Sequence, residues 1–392
     1  VNETADIVVV GGGVMGTSIA FHLARRQAGR VLILEKSFLG AGASGKSGAI
    51  IRQHYSHRLT SAMAQHGLRF FERFPDHVGG PVVFTRAGLV VVASTSERRQ
   101  LEANLAMQRS LGIETAIVSR EELRTIDPHC ALADDETAAF ESEAGYVEAL
   151  QAVASLADSA RRMGAEIREG SRVTAIRVEH GRVAGVDTTS GFVATRAVVV
   201  AAGPWAAALA ATARVVLPVQ PSRTQVALFR RPCDFGPPRP AYGDFRRQVY
   251  FKPTHGDMLH VGNIDPRELR APVDPDDYNE VADLAFTREM RQKLNVRYPA
   301  MQRSVGRGGF GALYAVTPDW HPILDRMPGV AGAYCAVGFS GHGFKMAPAV
   351  GQLMTELIVD GAAQTFDIRP LRFARFAEGD PFGGTAAASV MG

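Results

Sequence analysis

Two glycine-rich segments near the start of the chain carry residue types able to hold phosphate. Gly11-Gly12-Gly13-Val14-Met15-Gly16 fits G-x-G-x-x-G, and Glu35 follows 24 residues after Gly11. Glycines lacking Cβ let backbone N–H groups approach a pyrophosphate, and a helix N-terminus adds partial positive charge. An acid at the place of Glu35 can accept hydrogen bonds from both hydroxyls of an adenosine ribose, and it would repel a 2′-phosphate, which disfavours NADP. The second segment, Gly40-Ala41-Gly42-Ala43-Ser44-Gly45-Lys46-Ser47, matches G-x-x-x-x-G-K-[ST] and alone would mean a P-loop NTPase. Its context argues otherwise. Residues Lys36 to Leu39 separate it from the preceding strand, GAIIRQHYS after it is a poor helix, and no later strand ends in an obvious metal-binding Asp. Lysine is otherwise scarce. Only Lys36, Lys46, Lys252, Lys293 and Lys345 occur among 43 basic residues, and Lys46 and Lys345 both sit in glycine-rich motifs.

The elements that must position these motifs can be read locally. DIVVV at 6–10 and VLILE at 31–35 are short, apolar and β-branched, as buried parallel strands are. Between them a helix is predicted from Met15 to Arg26, with Ile19, Ala20, Leu23 and Ala24 at helical spacing. This is the β–turn–α–β unit of a doubly wound sheet. An amphipathic helix is predicted at 58–74, a charged, surface-like one at 96–110, another helix at 147–163, and a hairpin at 82–93. A second hairpin turns at His180-Gly181. From Pro218 to Phe310 prolines and aromatics cluster, and TQVALF, QVYFKP and DMLHVGNI read as strands of a mixed β region. A strand at 331–337 and a helix at 346–359 follow.

The chain has 392 residues with net charge +3, 46% hydrophobic and 21% charged residues, which is ordinary globular composition. Disorder, collagen and coiled coil are excluded. No Lys/Arg run exceeds two residues, so nucleic acid and membrane surfaces are poor partners. The uncharged stretches Ile7–Ala24, Ala197–Ala213 and Met327–Phe344 fall short of the roughly 20 residues of a membrane helix. The N-terminus lacks the pattern of a signal peptide. Cys130, Cys233 and Cys335 form no CxxC, so neither a disulfide framework nor a metal site is indicated, and a reducing, cytoplasmic setting is expected.

GGGVMG, Glu35, GASGKSGAIIRQHY, AGYVEA, AVVVAAGPW and GFSGHGFKMAP occur in this order. The set resembles the FAD-dependent amino-acid and amine oxidases of the D-amino-acid oxidase superfamily, nearest the sarcosine oxidase and glycine oxidase branch. The resemblance runs from Ile7 to about Ile358, and GFSGHGFK is its most specific piece. It implies an α/β (α+β overall) fold, a Rossmann-like FAD-binding domain with an inserted mixed β-sheet substrate domain. The first would comprise 1–80, 141–217 and 311–380, the second 81–140 and 218–310, with 381–392 a flexible tail.

The resemblance implies FAD rather than NAD. Gly11, Gly13 and Gly16 would hold the pyrophosphate, with Val14 and Met15 beside them, and Glu35 and Lys36 would lie at the ribose. Val173 would flank the adenine, and Ala202, Gly203 and Trp205 would close over the nucleotide. Ser44, Ser47, Gly48 and Ile50 would run beneath the flavin, and Gly341, His342, Gly343, Phe344 and Lys345 would face its pyrimidine end. Arg52 and Lys345 stand where the family clamps a substrate carboxylate, and Tyr250 and Tyr314 where it places groups around the substrate. Each tyrosine also reads as a core residue.

Three departures shape the expected chemistry. Ala312 replaces the Cys of covalently flavinylated members, so FAD would be non-covalent. His260 replaces an oxygen-activating Lys, and could serve that role only when protonated; it also reads as a packing residue. Ala49 and Ile264 replace an Arg and a His, implying a roomier pocket for an amine bulkier than sarcosine, such as an N-carboxymethyl amino acid. The implied reaction is oxidation of an amine bearing a carboxylate to an imine that hydrolyses, with O2 reduced to peroxide. A proline- or hydroxyproline-type dehydrogenase, a non-catalytic flavoprotein subunit of a larger complex and a P-loop NTPase are the alternatives. Homo-oligomer and heteromer are both left open.

Overall fold

The computed structural model describes residues 3–236, 240–265, 267 and 271–383. A six-stranded sheet organises the first part of the molecule. Its strands run in the order Glu166–Arg168, Val31–Leu34, Ile7–Val10, Ala197–Val200, Ala333–Val337, Ile323–Arg326. The first five are parallel and the last is antiparallel. Parallel strands are buried on both faces, which explains why IVVV and VLIL are apolar at every position. Ile7, Val9 and Ile33 pack into one cluster with the helices Val14–Arg25, Ala149–Arg162 and Ala347–Val359. Val8, Val10, Leu32 and Leu34 point the other way, toward Ile176, Val186 and Val193. Those three belong to a four-stranded sheet that includes Val173–Glu179 and Arg182–Thr188. The turn between these two strands is the expected one, with His180 at φ 49° and Gly181 at φ 74°. Both are left-handed, as a two-residue hairpin turn requires.

The inserted β region forms one eight-stranded sheet. Its order is Val305–Val316, Gln220–Arg230, Met258–Asn263, Val249–Thr254, Ala241–Asp244, Leu89–Ser94, Glu136–Glu141, Thr115–Val118. The expected boundary at 310 falls inside one continuous strand, which pairs with Gln220–Arg230 from Val305 to Val316. The hairpin expected at 82–93 does not form. Thr85–Arg86 pairs with Gly145–Tyr146, whereas Leu89–Ser94 pairs with Glu136–Glu141 and Ala241–Asp244. Gly88, at φ 77°, turns the chain between the two sheets. A helix at Leu284–Arg297 lies within the region read as β, burying Phe286, Met290 and Leu294 every fourth residue. The expected flexible tail starts with placed residues, since Phe382 is buried. The rest of it, 384–392, lies outside the described residues.

The parallel strands position the site. Gly11 follows Val10, Glu35 follows Leu34, Ala201–Gly203 follows Val200, and Gly338 follows Val337. All four segments leave carboxyl ends of the same sheet, where open α/β sheets bind ligands.

Candidate functional site

A cavity of ≈ 1290 Å³ opens at that edge. It exceeds the roughly 300–1,000 Å³ typical of a drug-sized ligand and can take a dinucleotide with a small acid beside it. It continues across to the eight-stranded sheet, where Leu89, Val91, Val226, Phe245 and Ile264 line it.

The residues at its nucleotide end fit FAD. Gly11 sits at φ 112°, and a Cβ there would lie 2.6 Å from the Ala201 carbonyl oxygen. At Gly16 a Cβ would lie 1.9 Å from the Gly11 oxygen. Gly16 thus packs helix on turn, which leaves Gly11, Gly13, Val14 and Met15 lining the cavity. The helix beginning at Val14 gets no side-chain cap from its N-cap residue Gly13 and has no acid in its first turn, so its N-terminus offers positive charge to an anion. Ser44 Oγ accepts from Val14 N at 2.9 Å and fixes the glycine turn. Glu35 accepts from Gly12 N at 2.7 Å through Oε2 and from Ser37 N at 2.9 Å through Oε1. Each carboxylate oxygen keeps a lone pair for a ribose hydroxyl. Val173, Ala202, Gly203 and Trp205 line the same end; Ser44, Ser47, Gly48, Ile50 and Gly341–Lys345 line the remainder.

A strap that sequence reading missed crosses this end. Asp276 lies between Pro272 and Val281, which bridge to Ser222 and Phe310 of the eight-stranded sheet. Its Oδ1 accepts from Lys36 Nζ at 2.6 Å and Trp205 Nε1 at 2.8 Å, and its Oδ2 from Arg172 Nη2 at 2.9 Å. The Lys36 ammonium beside it holds the Asp276 carboxyl down to about 2. Lys36 also rests 3.7 Å from the Trp205 ring centre. The P-loop reading fails here. Residues 37–47 are turns with no helix after Lys46, whose Nζ binds Tyr278, Gly311 and Glu280 instead of cradling phosphate.

At the other end, Arg52 and Lys345 face the same ring. The Arg52 guanidinium carbon lies 4.2 Å and the Lys345 Nζ 5.7 Å from the centre of Tyr55. Arg52 Nη1 donates to the His54 carbonyl, and Lys345 Nζ to that of His342 at 3.2 Å. Burial first, then Arg52, hold the Lys345 ammonium well below the usual lysine range. The histidines here are neutral. Burial pushes His54 down to about 3 and His321 to about 4, and it drives His342 far down as well. His54, His321 and His342 line the cavity, and each has a buried ring nitrogen without a hydrogen-bond partner among the described residues. Two cations, neutral donors and unpartnered nitrogens together are suited to a polar anion.

Behind Arg52, Glu141 Oε1 accepts from Gln53 N at 2.8 Å and Gln53 Nε2 at 3.2 Å. Burial raises its carboxyl to about 7.

Tyr250 and Tyr314 line the cavity as neighbours, Tyr314 raising the titration of Tyr250 and Tyr250 lowering that of Tyr314. Burial raises both above the usual tyrosine range, so both stay protonated. Tyr314 lies flat on Gly341, where a Cβ would meet its ring at 2.5 Å. His260 is the one expected site residue besides Gly16 that does not line the cavity. Its Nε2 is 3.1 Å from the Tyr250 hydroxyl, and burial with Lys252 across the strand pair pushes it down to about 3. A protonated His260 is therefore not what the fold provides. Ala49, Ile264 and Ala312 line the cavity at the three places of departure.

A family model described as FAD dependent oxidoreductase matches residues 6–357. The chain is 30% identical over 390 residues to a peroxisomal sarcosine oxidase of Homo sapiens, covering 95% of this chain and 96% of that one. It is similar to the crystal structure of an L-proline dehydrogenase from P. horikoshii, with TM-score 0.89 and 26% identity over 97% of this chain and all of the other. A glycine oxidase structure from Geobacillus kaustophilus matches with TM-score 0.83 and 25% identity over 95% and 99%.

Proposed function

The chain belongs to the FAD-dependent oxidoreductase family, and we propose that it oxidises the C–N bond of an amine that carries a carboxylate, with O2 as the electron acceptor and peroxide as a product. The observation that carries this reading is the convergence of Arg52 and Lys345 on Tyr55 at the cavity wall. Lys345 is buried and Arg52 half-buried, and two neighbouring cations so placed are costly until an anion arrives. A carboxylate satisfies both, and the planar fork of Arg52 fixes its orientation.

Bound FAD supplies a two-electron acceptor. The protein's own task is placement. Arg52 and Lys345 hold the acid end, so the carbon next to the nitrogen is presented from a fixed direction. The hydroxyls of Tyr250 and Tyr314 remain protonated and offer donors on the substrate side. The apolar wall of Leu89, Val91, Val226, Phe245 and Ile264 accommodates bulk on the nitrogen. It supports an N-carboxymethyl amino acid or similar secondary amine over sarcosine. The amine must lose its proton before reaction, and the positive charges of Arg52 and Lys345 favour that loss.

One observation favours a second reading. His260 is neutral, which removes a cation that would assist oxygen. A proline- or hydroxyproline-type dehydrogenase with another acceptor accords with that, and the name of the P. horikoshii neighbour points the same way. A reducing compartment such as the cytoplasm suits the exposed free thiol of Cys233.

The test is to mix the holoprotein with N-alkyl glycines and L-proline without oxygen and follow the flavin absorbance. Bleaching by a carboxylate-bearing amine is expected, and by its decarboxylated analogue is not. Equal bleaching by both would refute the clamp. Admitting oxygen then separates the acceptors, since rapid peroxide formation marks an oxidase.

A further inference from the structure

Trp320 lines the cavity with its backbone at φ 66°. Left-handed backbone is rare for a bulky residue and persists only where the surroundings over-determine it. Here they do. Trp320 N donates to Thr317 O at 3.1 Å, and His321 N to Asp319 Oδ1 at 3.1 Å. The His321 carbonyl accepts from Thr317 Oγ1 and from Arg375 Nη2, both at 2.8 Å. Arg375 is wholly buried and grips Asp319 through Nε at 2.7 Å and Nη2 at 3.0 Å. Phe382 N closes the clamp on Asp319 at 3.0 Å. Both neighbours of Trp320 are thus tied to the same arginine, and the peptide between them cannot relax.

The same clamp sets a row of rings. Phe382 lies 4.4 Å from His321 and 3.9 Å from His57, His321 lies 5.9 Å from His342, and His342 lies 5.8 Å from Tyr55. Tyr55 carries the two cations. Trp320 therefore sits next along the chain to a row that ends at the carboxylate clamp. Trp320 is only half-buried there. Strain at a half-buried residue that lines the cavity is not offset by burying the indole in the core, and such strain clusters at ligand sites.

The geometry points to Trp320 as a specificity-determining residue, whose indole forms the wall for the apolar part of a carboxylate ligand held by Arg52 and Lys345. This rests on the carboxylate reading above and adds which residue selects the remainder of the ligand. Acids with an aromatic or aliphatic group beyond the carboxylate gain the indole face, whereas acetate reaches only the cations.

The experiment is a titration of the FAD-loaded protein with inert acids, acetate and phenylacetate, followed by the flavin absorption change, for wild type, Trp320→Gly and Trp320→Phe. Glycine takes the left-handed backbone freely, so Trp320→Gly is expected to fold. It should weaken phenylacetate about tenfold or more and acetate less than about twofold, with the affinity for FAD unchanged. Trp320→Phe should keep most of the preference. An unchanged ratio in Trp320→Gly, or a loss of FAD affinity with the ratio intact, overturns the assignment of Trp320 and leaves the clamp standing. If wild type binds neither acid, the carboxylate reading falls and this inference falls with it. Should Trp320→Gly fail to fold, Trp320→Phe decides: a preference for phenylacetate lost as completely as with a denaturing change, or wholly unaltered in kinetics of binding and affinity, counts against the assignment, and a partial loss supports it.

Discussion

Arg52 and Lys345 come from elements almost 300 residues apart, yet each places its charge against the ring of Tyr55, at 4.2 and 5.7 Å. The electron-rich ring gives both cations a favourable neighbour in the absence of an anion. Arg52→Met should lower kcat/KM for a carboxylate-bearing amine about 10- to 100-fold, the worth of a lost charge-assisted hydrogen bond. Lys345→Met should do the same. Most of the loss should appear in KM if the clamp mainly binds. Steady-state kinetics on a substrate and its decarboxylated analogue check this, because the analogue should lose little.

Lys345 also predicts a pH dependence. Its ammonium is held well below the usual range, by burial first and Arg52 second. As pH rises through that lowered value the free protein loses a charge that the substrate needs. The profile of kcat/KM should therefore rise as the amine deprotonates and fall again on the alkaline side. Lys345→Arg keeps its charge throughout. Its profile should lose the alkaline fall while keeping the rise, whatever its absolute rate. A fall that survives in Lys345→Arg would assign that limb to another group.

Glu141 makes the stability depend on pH in the opposite sense to most buried groups. Its folded value of about 7 lies above the ordinary 4.5 of a glutamate, with burial the main cause. Between these values the folded chain holds a proton that the unfolded chain has released. Its contribution is intact below pH 4.5 and is lost as pH rises through 7, by up to about 3 kcal/mol. His22, His54 and His260, each pushed to about 3, act the other way, lowering stability as pH falls below 6.5. The useful measurement is thus a difference. Glu141→Gln should gain stability relative to wild type as pH rises from 5 to 8, read as the gap between two melting curves.

The opening βαβ unit, its glycines and Glu35 are legible in the sequence because they depend on local chain geometry. Ile7–Val10 must be buried on both sides, and Gly16 must carry no Cβ. The hairpin at 82–93 is misread because Gly88 sends its two halves to different sheets, a choice set by partners at 136–146. The helix Leu284–Arg297 is announced by Phe286, Met290 and Leu294, but a surrounding cluster of prolines and strands obscures it. His260 fits a sequence pattern, yet its charge depends on burial, which the sequence does not print. Tyr55, Asp276 and Trp320 carry no motif. Their roles arise from segments brought together only by the fold.

Asp276 tests the strap. It gathers Lys36, Arg172 and Trp205, all from the nucleotide side, onto one carboxylate held by the eight-stranded sheet. Asp276 and both its cations are partly exposed, so solvent screens the pairs and each contributes little to folding. Their joint effect falls on the position of Trp205, which lines the cavity. Asp276→Asn keeps the shape and removes the charge that orders three donors. It should leave the melting temperature of the FAD-free protein nearly unchanged and speed FAD release several-fold, measured by dilution into an FAD trap. The effect should shrink with added salt in the wild type, since the same contacts are screened. Release at the wild-type rate in Asp276→Asn would mean that the strap closes over a nucleotide already held by Glu35 and the glycine turn alone.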